Sequence, residues 1–128
     1  MRPWLAAALL LASLALGGCQ SAPSDFKNLF GAGAGQSTLD AGLRLYEAGK
    51  YAEAARYLQS ALYQGLQDPD RVRAHKYLAF IHCVSNDVAL CREEFGKALA
   101  IDPKVELTAA EAGHPVWGPV FRSVKTGR

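Results

Sequence analysis

The 128-residue chain has little net charge: 14 Lys and Arg stand against 12 Asp and Glu, a formal balance of +2. A near-neutral chain of mixed sign offers no electrostatic footprint for nucleic acid. It has three cysteines and no Cys-x-x-Cys, which argues against a redox-active pair. Its apolar run over residues 5–16 is too short to cross a bilayer: as a helix it would span ~18 Å against a hydrocarbon core of ~30 Å. The run Gly31-Ala32-Gly33-Ala34-Gly35 is followed by no Gly-Lys-Ser/Thr and so is no phosphate loop. No His stands at a recognisable spacing from a nucleophile or a carboxylate. Glu93 and Glu94 are adjacent on a helix and splayed. No enzyme, cofactor or metal is therefore expected. Length allows one domain.

What is present begins with an address. Residues 1–18 carry one charge, Arg2, and 13 of the 18 are apolar. A short positive start followed by a brief apolar run reads as a signal peptide. It ends Leu16-Gly17-Gly18-Cys19, which resembles a bacterial lipobox. The resemblance implies a diacylglyceryl group on the Cys19 thiol, cleavage before Cys19, and acylation of the freed amine. Gln20 is not Asp, which by the enterobacterial sorting rule implies the outer membrane. Two or three acyl chains anchor stably. The expected mature protein has 110 residues and a side-chain balance of +1. It would hang from a leaflet in a compartment that permits disulfides.

Residues 19–36 are rich in Ser, Pro, Gly and Ala and read as a flexible tether. Phe26, Leu29 and Phe30 are its exception and could dock on the domain or the bilayer. From Thr38 the apolar period becomes helical. Leu39, Leu43, Leu45 and Tyr46 mark a first helix, broken at Gly49-Lys50. A second runs over 51–65 with Ala54, Ala55, Leu58, Ala61 and Leu62 on one face. Asp68-Pro69-Asp70 signals a turn and helix start, and a third helix covers 71–84. Ser85-Asn86-Asp87 breaks it, and a fourth over 88–101 ends at Asp102-Pro103. The predicted fold is all-α.

The block Gly49-Lys50-Tyr51-Ala52-Glu53-Ala54, with Leu58 and Ala61-Leu62, resembles the middle of a tetratricopeptide repeat. That family pairs two helices as an antiparallel hairpin, with small residues where they cross. Carried over, Gly42, Ala54 and Ala61 are small positions, and Leu45 and Leu58 large ones. A second copy supplies Leu78, Ala79, Phe95, Ala98 and Pro103, with Cys91 at a crossing usually held by Ala. The copies are offset by 37 residues, and the resemblance covers 35–104. The first copy lacks the early aromatic and the closing Pro, and His82 replaces the usual Tyr.

Two repeats would leave an apolar face open, so the domain, residues 37–128, needs a cap. Thr108-Ala109-Ala110-Glu111 has the capping-box pattern, and His114-Pro115 marks a helix start. Val116, Trp117, Val120, Phe121 and Val124 would form its apolar stripe, with Trp117 a core anchor. Gly118-Pro119 predicts a kink or a late start.

The repeat alignment sets Cys83 and Cys91 near each other across a tight turn, so a disulfide is expected. With Cys19 lipidated, the remaining cysteine count is even. The rival is a metal held by His82, Cys83, Cys91 and His114. That spacing is no recognised zinc pattern, and adjacent residues on a helix point about 100° apart. His82 falls at a core position of the repeat, and His75 lies on much the same face. In tetratricopeptide proteins the inner faces of the first helices line a peptide-binding groove. The resemblance transfers this role to Leu39, Leu43, Tyr46, Arg73, Lys76 and Phe80. Ordinary exposure, or cover by the tail, is the alternative.

The stretch Ala74-His75-Lys76-Tyr77-Leu78-Ala79-Phe80-Ile81-His82-Cys83, then Cys91, Phe95 and Glu111-Ala112-Gly113-His114-Pro115-Val116-Trp117-Gly118-Pro119-Val120, resembles a narrower group. These are the small tetratricopeptide lipoproteins of type VI secretion clusters, the TssQ-type proteins. The resemblance implies a non-enzymatic accessory that binds protein partners in the cell envelope. A pilotin-like assembly factor for a secretin or pilus is the alternative, although pilotins usually carry more repeats.

Overall fold

The computed structural model describes residues 33–127, so the expected signal peptide, Cys19 and most of the expected tether lie outside the described residues. Those described form six helices and no strand: α1 (Gln36–Glu47), α2 (Tyr51–Gln64), α3 (Asp68–Val84), α4 (Val88–Ile101), α5 (Ala109–Ala112) and α6 (Trp117–Thr126). The fold is all-α.

Residues 33–36, assigned to the tether by composition, pack on the folded body. The amides of Gly33 and Gly35 both donate to the Gly65 carbonyl, at 3.2 and 3.0 Å. A Cβ on Gly35 would lie 2.3 Å from the Ala61 carbonyl oxygen. Gly35 is therefore backbone packed on backbone, a contact only glycine allows.

α1 and α2 form an antiparallel hairpin. The Tyr46 and Tyr51 rings meet at its turn, 5.3 Å apart. At the other end Thr38 Oγ1 donates to Gln64 Oε1 at 2.9 Å. Ala54, Leu58 and Ala61, spaced one helical turn apart, are the buried face of α2. α3 starts at Asp68, three residues before the periodicity indicates. Pro69 occupies its first turn, where a missing N–H is no loss, and Asp68 and Asp70 favour the positive end of the helix dipole. In α4 the Asp87 carboxylate accepts from the Leu90 amide at 3.0 Å and caps the helix.

α3 is the central element. Leu78 and Ile81 join Leu39, Leu43 and Leu58 in one core cluster. Ala79, Phe80 and Cys83 join Phe95, Leu99, Trp117 and Phe121 in another. Serving both, α3 buries residues around most of its circumference. Full burial of each large side chain stabilises by ~1.5–3 kcal/mol. Leu90, in the first turn of α4 beside the buried Cys91, is 39% exposed.

Three of the four helix ends recur at one offset between the two hairpins, while the starts of α1 and α3, Gln36 and Asp68, lie 32 residues apart. α2 spans 51–64 and α4 spans 88–101, a shift of 37 residues at both ends. α1 ends at Glu47 and α3 at Val84, the same shift. The left-handed residues Gly49 (φ 74°) and Asn86 (φ 65°) also fall 37 apart, one in each turn.

The C-terminal segment packs on the second hairpin. Thr108 Oγ1 accepts from the Glu111 amide, and Glu111 Oε2 accepts from the Thr108 amide. This capping box starts α5. α6 begins at Trp117, two residues later than Pro115 indicates. Val116 therefore precedes the helix and is 39% exposed, outside the predicted stripe; Trp117, Val120 and Phe121 are buried and Val124 half-buried. A Cβ on Gly118 would lie 2.4 Å from the Ala112 carbonyl oxygen, so glycine lets α6 approach α5.

Candidate functional site

The six groove residues do not share one open surface. Leu39, Leu43 and Phe80 are core, at 0%, 6% and 2% exposure. Tyr46 and Lys76 are half-buried, and only Arg73 is exposed. This corrects the groove expectation: Leu39 and Leu43 pack against α2 and α3, whereas the tail covers Phe80 and Lys76. Trp117 stacks on Phe80, ring centres 4.4 Å apart, and His114 stacks on Trp117 at 3.4 Å. Trp117 Nε1 donates to the Glu111 carbonyl at 2.8 Å. The Lys76 ammonium reaches both Glu111 carboxylate oxygens, at 3.0 and 3.1 Å. Glu111 thus caps α5, pairs with α3 and holds the Trp117 ring. Its sequence signal was the capping box alone; the other two roles depend on α5 lying against α3.

Beside this clasp runs a row of half-exposed phenols. Tyr46 lies between Tyr51 and Tyr77, with ring centres 5.3 and 4.9 Å away. Burial, then the neighbouring Tyr51, Tyr77 and Glu111, push the Tyr46 hydroxyl up to about 12. Burial and then Glu111 raise Tyr77 as well, against the lowering effect of Arg73. Both remain neutral hydroxyls near pH 7, able to donate and accept hydrogen bonds.

The Cys83 and Cys91 sulfurs lie 2.01 Å apart, at disulfide distance, with Cα atoms 5.1 Å apart. Joined sulfurs offer no thiolate to a metal or to a redox reaction. The rival ligand set is not gathered: His114 stacks on Trp117 and its Nδ1 accepts from the Val116 amide. His82 is half-buried rather than core.

An internal ion pair escaped the sequence reading. His75 Nδ1 lies 2.7 Å from Glu94 Oε2, with the side chains 13% and 10% exposed. Lys97 reaches both Glu93 and Glu94 at 2.8 Å. Burial raises the Glu94 carboxyl, but hydrogen bonds from His75 and Lys97, with their charges, hold it below the usual range. Ionised Glu94 accepts from the His75 N–H and joins α3 to α4. A His and a Glu 19 residues apart form no local motif; only hairpin packing brings them together.

Among the described residues no helix is long and apolar enough to cross a membrane. Comparison with protein-family models, curated proteins and solved structures found no match for the chain.

Proposed function

We propose that this chain is a lipid-anchored, non-enzymatic protein-interaction module of the bacterial cell envelope, built on two tetratricopeptide-like hairpins. The observation that carries the reading is the 37-residue recurrence of helix ends and left-handed turn residues. Small buried residues at the seams support it: Gly42, Ala54 and Ala61 in one hairpin, Ala79, Cys91 and Ala98 in the other. α6 covers the second hairpin as a terminal cap covers a repeat array. The lipobox-like Leu16-Gly17-Gly18-Cys19 supports attachment through Cys19 at the periplasmic face of the outer membrane. A small body with its second hairpin closed by its own tail suits a positioning role in a larger assembly. The resemblance to type VI secretion lipoproteins names that assembly.

The test is affinity purification of the full-length protein from detergent-solubilised envelopes, with Cys19→Ser alongside and partners identified by mass spectrometry. Enrichment of type VI membrane-complex or baseplate proteins, weakened by Cys19→Ser, is the expected result. Enrichment of a secretin or pilus protein would reassign the chain as a pilotin-like factor. Recovery of nothing above background would overturn the interaction reading.

A further inference from the structure

The seam between α1 and α2 carries a surface that the folded tail does not close. Two hollows of about 300 Å³ each adjoin there and share Tyr57, which is 44% exposed. Ala41, Leu45 and Ala48 form an apolar floor in one, with Arg44 and Lys50 around it. The other is polar, bordered by Arg56 with Thr38, Ser60 and Gln64, and no carboxylate lines either. Gly42 keeps the helices close here: a Cβ on it would lie 3.1–3.2 Å from Leu58 and Tyr57 side-chain atoms. Every ion pair among the described residues joins residues numbered 68 or higher. Among the described residues, Arg44, Lys50 and Arg56 therefore frame the seam without an ion-pair partner.

We propose that this seam docks an acidic amphipathic helix of a protein partner. The inference rests on the interaction-module reading and supplies the partner's chemistry. A groove between two helices, floored by alanine and leucine, accepts the apolar ridge of a third helix. α2 offers 14 residues, or ~21 Å of length, enough for about four turns. Carboxylates flanking the apolar ridge would meet Arg44, Lys50 and Arg56, fixing orientation and excluding basic helices. α6 packs on the second hairpin and α3 on the first, and Tyr57 stands outside both core clusters. The chain's own Asp25-Phe26-Lys27-Asn28-Leu29-Phe30 is a poor complement to three cations, since its two charges cancel.

The experiment uses residues 19–128 carrying Cys19→Ser, which include the whole described body. The probe is a fluorescein-labelled helical peptide of Leu, Ala and Glu, with Leu at i, i+3, i+4 and i+7. A second peptide replaces every Glu by Lys, and phosphatidylglycerol vesicles form a third arm. Fluorescence anisotropy should show binding of the acidic peptide only, weakening as salt rises. Tyr57→Ala, and separately Arg44→Gln with Arg56→Gln, should each weaken it by about tenfold or more. Lys104→Gln should leave it unchanged, and circular dichroism checks each variant's fold. Equal binding of the basic peptide, insensitivity to the seam variants, or no binding would overturn the proposal. Binding to vesicles alone would assign the seam to a lipid surface. Binding that appears only after deletion of residues 20–32 would assign it to the chain's own segment. If the seam variants still recover the same envelope proteins from membranes, the interaction reading stands and the seam is not its site.

Discussion

Single residues decide how tightly this small domain is held. The buried Glu94 carboxylate is favoured by His75 and Lys97, and its folded pKa lies below the usual 4.5. A depressed carboxyl stabilises the fold above its unfolded pKa, and that contribution is lost as pH falls through the folded value. Urea unfolding at stepped pH should therefore show stability falling below pH 4.5, with a shallower acid-side slope in Glu94→Gln. Cys83 and Cys91 close a short loop, eight residues apart in sequence. Cys83→Ser with Cys91→Ser should lower the unfolding free energy by ~2–3 kcal/mol. Reductant should lower the wild type similarly and leave the double variant unchanged. The cysteine pairing was legible because the repeat resemblance puts a tight hairpin turn between the two residues. The His75–Glu94 pair was not, because nothing local joins it.

At the scale of elements, the period of the apolar residues placed α2 and α4 closely and α1 and α3 within a turn. The differences lie where chemistry other than burial decides. Asp68 and Pro69 start α3 early, and α6 waits until Trp117 although Pro115 invites an earlier start. The tail's role also emerges here. Trp117 packs on Phe80, and Phe121 meets Phe95 at 5.2 Å. Trp117→Ala should cost ~3–5 kcal/mol, read by chemical denaturation. The same variant should loosen α5 from α3 and expose the phenol row. The Tyr46 transition, displaced to about 12, would then move back toward 10 in a 295 nm titration. An unchanged titration would mean that the tail does not shield Tyr46. Raised phenol pKa values favour the fold below pH 10, a contribution lost as pH rises toward 12.

For the whole molecule, the central question is where the body sits and what it touches. Gly33, the first described residue, is held on Gly65 and stands 14 residues after Cys19. At ~3.3–3.6 Å per residue, that stretch reaches no further than ~50 Å. Acyl chains on Cys19 would confine the domain to that shell. Cys19→Ser should shift the protein from the membrane to the soluble fraction in a flotation assay, with the fold unchanged by circular dichroism. Persistence of the variant on membranes would show that the folded body, not the lipid, holds it there.

The sequence by itself determined the helical class and the hairpin turns, because the 3.6-residue period and the turn residues act locally. The Cys83–Cys91 pairing was an expectation of the repeat resemblance. Only the tertiary structure decided which surfaces remain open. Phe80 and Lys76 lie on the first helix of the second hairpin, where the repeat resemblance expects a groove, yet Trp117 and Glu111 cover them. Arg44, Lys50, Arg56 and Tyr57 lie along an α1–α2 seam that the tail does not cover. The physical reason is that a repeat array must bury its terminal apolar face. What buries that face depends on how residues far apart in sequence pack together.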